Sequence, residues 1–420
     1  MMLLSIFLIL LLTGSVSASF AASTEIRTDE PSLPAFELHK IIELSLERNP
    51  IMGGAEGSVQ QSRGQRVTAG AYLNPSITGQ SGRGVVLDPS SGAVISERAV
   101  TLSQPLEWLG KRAARQQAAE AGLAGASVGV EEVRLNLIAE VKNAFYELLL
   151  AQRAVELAKR NLSIVEDVAR VVKARVQSGE GPQFEAIKAD VEVMKANQEL
   201  TRSENAVRVR LVSLDTLTAG ALGPSFTIQG DFKSFQQGMK LQDLTARGLA
   251  QHPTLRRLEK LVERAAYNVV FEREARIPNV TVQGSYQRDA GREGVIANLT
   301  IPMPIWYQRQ GEVTTALGAK RQEEAELLRT QNELVRAINQ HFQDAETAQK
   351  QIELFEQGLL RQAREALRIA QLSFQQGATS LLEVLDAQRV ERQILSDYYR
   401  ARFELSIALT RLERSVGGSL

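Results

Sequence analysis

The chain states its order twice. Leu38, Ile41, Leu46 and Asn49-Pro50 return as Leu241, Leu244, Leu249 and His252-Pro253, 203 residues later. Asn74-Pro75-Ser76-Ile77 returns as Ile277-Pro278-Asn279-Val280 at the same offset. Gln104-Pro105-Leu106-Glu107-Trp108 returns less closely as Ile301-Pro302-Met303-Pro304-Ile305, 197 residues on. Val141, Phe145, Ala151-Gln152 and Val155-Glu156-Leu157 return as Ile338, Phe342, Ala348-Gln349 and Ile352-Glu353-Leu354, again at 197, and Gly179 with Glu185 returns as Gly377 with Glu383 at 198. The anchors keep their order while the offset drifts by a few residues, so a whole architectural unit is duplicated. Two similar halves in pseudo-symmetry constrain the fold more than the length of 420 residues does.

Composition removes several classes of function. Net charge is zero, so no long-range field favours nucleic acid or an acidic partner. There is no cysteine, which excludes disulfides, thiolate metal sites, a Cys nucleophile and a lipidated N-terminal cysteine. His39, His252 and His341 are too far apart in sequence to form a recognisable ligand cluster, and no metal or cofactor is expected. The chain carries neither a G-x-x-x-x-G-K-[ST] phosphate loop nor an H-E-x-x-H motif, and the expectation is a protein that is not an enzyme. Abundant Ala, Leu, Glu, Gln and Arg, with only 5% aromatics, favour long helices over a conventional large core.

Leu3–Leu12 is an almost unbroken apolar run followed by small residues to Ser23. It reads as a cleavable secretory signal over residues 1–21, with 22–35 an N-terminal segment behind it. The run is too short to cross about 30 Å of hydrocarbon, and no later segment has about 20 consecutive apolar residues.

From Leu137 the apolar or small positions fall at 137, 141, 144, 148, 151, 155, 158, 162, 165, 169, 172 and 176, in steps of four and three without a break. A sustained 3.5-residue repeat is a coiled seam. The second copy keeps the spacing through Ile338, Ala345, Ala348, Ile352, Phe355, Leu359, Ala366 and Ile369, with His341, Gln362 and Ser373 as polar exceptions. Helices are expected at about 108–176 and 182–218, and again at about 310–375 and 380–414. The turns Gly179-Glu180-Gly181 and Gly377-Ala378-Thr379 close each pair into a hairpin, and Pro182 suits a first helical turn.

Between the helices, Val280, Val282 and Tyr286 alternate with Thr281, Gln283, Ser285 and Gln287, and alternation resumes from Val295 to Ile301 beyond a polar turn at Arg288–Gly294. Period two on both sides of a turn is a β-hairpin. The expected strand pairs cover about 72–104 and 278–303. Strands of some ten residues with one apolar face are the signature of a membrane barrel. Trp108, Lys111, Arg112, Trp306 and Tyr307 follow the strands as a bilayer-edge belt of aromatics and cations. Four strands cannot close a barrel, and an open edge cannot stand in lipid, so the barrel must be shared between chains. The units are then 36–218, an inter-repeat segment 219–240, 241–414 and a tail 415–420.

The order of export signal, Asn-Pro helix end, β-hairpin, long helix, glycine turn and return helix, all repeated, resembles the TolC-like outer-membrane efflux proteins. The resemblance runs from about Phe36 to Leu412. It is carried by Gly179-Glu180-Gly181-Pro182-Gln183-Phe184-Glu185 and by Gly377-Ala378-Thr379-Ser380-Leu381-Leu382-Glu383-Val384-Leu385-Asp386-Ala387. The junction Gln104-Pro105-Leu106-Glu107-Trp108-Leu109-Gly110-Lys111-Arg112 is similar to the cobalt–zinc–cadmium resistance branch.

The resemblance implies a mainly α fold with a transmembrane β part. Each of two tandem repeats would supply a β-hairpin and a long coiled helical hairpin, and a homotrimer would form a shared barrel of about twelve strands and a periplasmic helical tunnel. The implied partners are a periplasmic adaptor (a membrane fusion protein), an inner-membrane RND-type pump and outer-membrane lipid. Glu383 and Asp386 would stand as acid rings at the periplasmic aperture, and Glu185 would help hold the tip closed through a partner near Phe374 or Thr379. The adaptor would meet Ser178, Gly179, Glu180, Gln376, Gly377 and Ala378. Ser380 to Glu383 also fits a capping box. Divalent metal cations are the expected cargo. Drugs or other organic compounds, or type I secretion, are the alternatives, and a periplasmic adaptor or coiled-coil scaffold is the rival class.

Overall fold

The computed structural model describes residues 34–85, 94–235, 238–289 and 292–420. The expected signal peptide lies outside them. The elements, in order, are β1 (Ala35–Glu37), α1 (Leu38–Arg48), α2 (Pro50–Gly70), β2 (Ser76–Val85), β3 (Val94–Leu106), α3 (Leu109–Gln177), α4 (Gln183–Leu217) and β4 (Thr227–Gln229). The second half gives α5 (Leu241–Gln251), α6 (Pro253–Glu274), β5 (Val280–Asp289), β6 (Arg292–Thr300) and α7 (Gln310–Leu354). A π-helical turn (Phe355–Leu359), α8 (Leu360–Gln375) and α9 (Leu381–Val416) complete it. Helices α2 and α6 were not anticipated from spacing. Both begin with proline at the first turn, where a missing N–H costs nothing.

Helix α3 has 69 residues, so it is about 100 Å long at roughly 1.5 Å per residue. It buries Leu137, Val141, Leu148, Ala158, Val165, Ala169 and Val172 of the expected seam. Nearer the strands the seam is made of small residues, Ala114, Ala118, Ala121 and Gly125. A Cβ on Gly125 would stand 3.4 Å from that of Lys260, so α6 lies almost backbone to backbone on α3 there. Helix α4 covers the far part of α3 and α6 the near part.

The second long helix departs from the expected seam. Up to Ile352 the seam residues Ile338, Ala345, Ala348 and Ile352 are buried as the spacing predicts, with Phe342 buried beside the half-buried His341. Beyond Ile352, Ala363, Leu367 and Phe374 are buried and Ala370 half-buried, while Ala366 and Ile369 face outward. Every later position is displaced by one residue. The π turn at Phe355–Leu359 is the cause, because it accommodates one extra residue and rotates the helix beyond it. Gln362 and Ser373, polar exceptions in the expected seam, lie one residue before Ala363 and Phe374.

The two halves share a core at mid-height. Phe145 and Tyr146 of α3 meet edge to face at 5.6 Å, and Phe232 stacks on Tyr146 at 6.4 Å. Burial pushes the Tyr146 hydroxyl well above its usual pKa. Beside them β1 and β4 pair in parallel, Phe36 opposite Ile228.

The four long strands form one antiparallel sheet in the order β2-β3-β5-β6, so the two expected hairpins are joined through β3 and β5. β5 and β6 run further into the expected 288–294 turn than the alternation predicts. Register places Ile77, Leu102, Gly284 and Ala297 in one cross-strand row and Gly79, Val100, Tyr286 and Val295 in the next, all on one face. The other face carries Thr78, Thr101, Ser285 and Ile296 in one row and Ser76, Ser103, Gln283 and Asn298 in another. Val295 is 82% exposed on the apolar face, while on the polar face Ser285 is buried and Thr101, Ser103 and Gln283 of the two central strands are half-buried, with Thr78 and Asn298 of the edge strands exposed. Pro105 sits where β3 has run past the end of β2 and needs no donor on that side. No described helix is long and apolar enough to cross a membrane.

Candidate functional site at the hairpin tips

At the end remote from the sheet, the hairpins α3–α4 and α8–α9 end in the same turn. Gly179 and Gly377 have φ of 81° and 76°, the left-handed region that glycine adopts without strain. Glu180 N–H donates to Arg175 O at 2.9 Å and Gly179 N–H to Val176 O at 3.1 Å. Ala378 N–H donates to Ser373 O at 2.8 Å and Gly377 N–H to Phe374 O at 3.0 Å. These are two Schellman caps, which explain both glycines by backbone geometry alone. Ser178, Glu180, Gln376, Gly377 and Ala378 are exposed around them.

The hairpins are held together by Val168, Val172, Ala186, Ala189, Leu381 and Val384 around Phe374, which is 2% exposed. Arg175 reaches across from the first hairpin and lies over the Phe374 ring, 5.2 Å from its centre. Its Nη2 stands 2.6 Å from where a Cβ on Gly377 would be. Glycine is required at 377 by its φ, while the arginine tip against it could shift to admit a Cβ. Arg175 is the cross-hairpin contact that sequence reasoning missed.

The expected aperture acids are placed separately. Glu383 and Asp386 are both exposed on the first turns of α9. Ser380 Oγ donates to Glu383 Oε1 at 3.4 Å, but the Ser380 side chain makes no bond to the helix backbone, so the expected capping box is not formed. Asp386 pairs with Arg389, 2.5 Å away and one turn further along. That is the basic partner that the turn itself did not reveal. Glu185 is half-buried in the first turn of α4, and among the described residues no ion pair or side-chain hydrogen bond joins it to Phe374 or Thr379. The Thr379 hydroxyl is buried without a partner.

Asp386 also lines a cavity of about 470 Å³ between α4 and α9. Lys188, Lys195, Arg389 and Arg392 line it with Glu192, Glu199 and Asp386, so it is close to balanced in charge. Phe184 and Leu382, equivalent positions 198 residues apart, each present an exposed apolar side chain beside a turn.

At the other end, the expected bilayer-edge belt divides in two. Trp108, Trp306 and Tyr307 are exposed, Trp306 by 90%. Lys111 and Arg112 are not part of that surface. Lys111 is buried and donates to Asn279 Oδ1 at 2.6 Å. Arg112 donates twice to Gly70 O and lies 3.8 Å from the centre of the Tyr72 ring. Both cations bind the start of α3 to neighbouring segments. Burial lowers the pKa of Lys111.

An outward-apolar sheet with two open edges, set on paired helices of such length, defines a subunit of an outer-membrane channel. The chain belongs to the outer membrane efflux protein family, whose model matches residues 41–220 and 244–418. It is 27% identical to the cobalt-zinc-cadmium resistance protein CzcC of Cupriavidus metallidurans over 315 residues, 74% of this chain and 75% of that one. It is 25% identical to the pyoverdine export outer membrane protein OpmQ of Pseudomonas aeruginosa over 96% of this chain and 88% of that one. The solved structure of CusC superposes with a TM-score of 0.78, covering 92% of this chain and 93% of the other at 17% identity. The chain is therefore an outer-membrane efflux channel with a periplasmic extension, and it conducts passively rather than catalysing. In this family the channel is a homotrimer that works with a periplasmic adaptor and an inner-membrane RND pump.

Proposed function

We propose that three copies join their sheets edge to edge into one barrel of about twelve strands, and that the channel below it carries divalent metal cations outward. The observation that carries the barrel is the sheet itself, apolar on its exposed face and unpaired at β2 and β6. Such edges are tolerated in hydrocarbon only when another chain pairs with them. The metal cargo is supported by the likeness to CzcC and by the junction Gln104–Arg112. Cargo would meet the tips first, where Glu383 and Asp386, repeated three times, supply carboxylates to an aperture. Glu185 acts as a tip carboxylate of the first hairpin. The exposed turns at Ser178–Glu180 and Gln376–Ala378, with Phe184 and Leu382 beside them, are the surface offered to the adaptor.

The test is growth of a strain lacking this gene, with and without complementation, on zinc, cobalt, cadmium, copper and a panel of organic compounds. Selective sensitivity to divalent metals supports the assignment. Sensitivity only to organic compounds or loss of pyoverdine export, the cargo in the name of OpmQ, would keep the channel and replace the cargo.

A further inference from the structure

We infer that an outward row of arginines at the free end of the sheet, Arg98 and Arg288 with Arg83 diagonal to them, binds the phosphate groups of an outer-leaflet lipid. The inference rests on the shared-barrel reading. Register puts Arg98 directly opposite Arg288, with Ser81 on one side and Glu293 on the other. Arg83 faces Ser96 and is therefore the diagonal neighbour of Arg98. All of these residues lie on the apolar face, one or two rows beyond Val100, Tyr286 and Val295. Glu97 and Asp289, the chain neighbours of Arg98 and Arg288, alternate onto the opposite face.

Like charges directly opposite one another destabilise a sheet. The acid in the row is Glu293, whose Oε1 lies 3.3 Å from Arg288 Nε. Among the described residues, one carboxylate against three exposed guanidiniums leaves an excess of positive charge, which a bound anion would offset. All three cations are arginines, whose planar fork meets phosphate oxygens in pairs where lysine offers a point charge.

The depth identifies the source of the phosphate. Leu106 marks the lower end of the apolar face, next to Trp108. Arg98 is eight residues further along β3, roughly 26 Å at about 3.3 Å per residue. With strands tilted about 40° this is roughly 20 Å of membrane height, near the top of an apolar band of about 25 Å. The strand ends Val85, Val94, Asp289 and Arg292 lie at the end of the sheet opposite the periplasmic helices, so this level is the outer leaflet. A free phosphate and a phosphorylated lipid share the headgroup chemistry. The apolar rows directly below the arginines offer a surface for acyl chains, which selects the lipid.

The full-length trimer, purified from outer membranes, would be melted in detergent with added bisphosphorylated lipid A, dephosphorylated lipid A or inorganic phosphate. The phosphorylated lipid should raise the melting temperature at a concentration at least tenfold below that needed for the dephosphorylated form. Arg83→Gln/Arg98→Gln/Arg288→Gln should remove that preference while trimer and conductance remain. Arg83→Gln alone should weaken it and Glu293→Gln should strengthen it, which keeps the test decisive if the triple variant does not assemble. Equal shifts from both lipids, a preference retained in the arginine variants, or the same shift from inorganic phosphate would overturn the inference. Failure of the barrel reading shows separately, as absence of a denaturant-resistant trimer from the outer-membrane fraction.

Discussion

Asn49 and His252 hold the same place in the two halves, and each ties two helices together. Asn49 Oδ1 accepts from Ile51 N–H at 3.0 Å, capping α2, while its Nδ2 donates to Leu217 O, the last residue of α4, at 2.9 Å. His252 Nδ1 accepts from Thr254 N–H at 3.2 Å, capping α6, while its Nε2 lies 3.1 Å from Arg414 O in the last turn of α9. Since Nδ1 accepts, the neutral ring carries its proton on Nε2 and donates there. Each residue thus satisfies an orphan amide of one helix and an orphan carbonyl of the next. Helix α2 is spliced to α4 and α6 to α9, so α3 and its counterpart run beside a nearly continuous partner.

The second splice is sensitive to acid. Burial lowers the pKa of His252 below its ordinary 6.5 and the nearby Arg414 adds to this, against the bond to the Arg414 carbonyl and the charge of Glu132. His341 is shifted the same way by burial and Arg411, with Asp344 opposing. As pH falls below about 6.5 the unfolded chain takes up protons first. This stability is complete above that pH and is lost on going down through the folded-state pKa. Melting between pH 7.5 and 5 should show the decline. His252→Asn, which copies Asn49, should keep both bonds and flatten part of the slope, whereas His252→Ala should cost about 1 kcal/mol. An unchanged slope in His252→Asn would assign the acid sensitivity elsewhere.

Glu413 lies between two cations, 2.7 Å from Lys142 Nζ on α3 and 2.6 Å from Lys233 Nζ in the inter-repeat segment. All three side chains are largely buried, and burial lowers the pKa of Lys233 against the pull of Glu413. Glu413→Ala would leave both ammonium groups uncompensated and should cost about 3 kcal/mol in chemical denaturation. Adding Lys233→Met to that variant should recover part of the loss. If the double variant is no more stable than the single, the cost lies in packing, not charge.

At the tips, Arg389 sets the strength of the proposed aperture field. Its pairing with Asp386 is solvent-exposed, so its coupling is of the order of 1 kcal/mol at most. Arg389→Gln should raise the cation-to-anion permeability ratio of trimers in planar bilayers by about two- to fivefold, and Asp386→Asn should lower it by a similar factor. Both effects should fade in high salt. Identical selectivity in the two variants would remove Asp386 from the conduction path.

The repeat and the 3.5-residue seam made the long helices and hairpin turns legible, because both are statements about spacing. Direction was not legible. Lys111 and Arg112 follow the strands as bilayer-edge cations would, yet their side chains turn onto Asn279 and Gly70. Helix α2 was hidden by Gly53, Gly54, Gly57 and Gly64, which break any apolar period. The β1–β4 pair joins three-residue strands far apart in sequence and leaves no local signal. At the tips, Glu383 and Asp386 could be placed on one helix, but the partner Arg389 lay beyond the turn that drew attention. In α8 a signal was present, since Gln362 and Ser373 fall on the expected seam and their following neighbours are apolar.

That signal has a direct test in Gly358, which lies in the π turn with φ 168° and ψ −26°, outside helical geometry. Inserting one alanine after Gly358 adds a residue that the π turn cannot absorb, and should rotate everything beyond by one position. Gln362, Ala366, Ile369 and Ser373 would then face α9, and Ala363, Leu367 and Phe374 would turn outward. The tip would lose Phe374, the residue around which the two hairpins pack and on which Arg175 lies. Removing a buried phenyl group costs about 3–5 kcal/mol, so the hairpin tips should separate while the mid-height core survives. Limited proteolysis would then cut near residues 175–185 and 374–382 well before the rest of the chain. Deleting Gly358 instead removes the extra residue, converts the turn to α-helix and should leave Ala363, Leu367 and Phe374 facing α9. If the deletion remains protease-resistant while the insertion does not, the residue count through the π turn is what sets the seam, and if the insertion is equally resistant the π turn has no part in holding the tip.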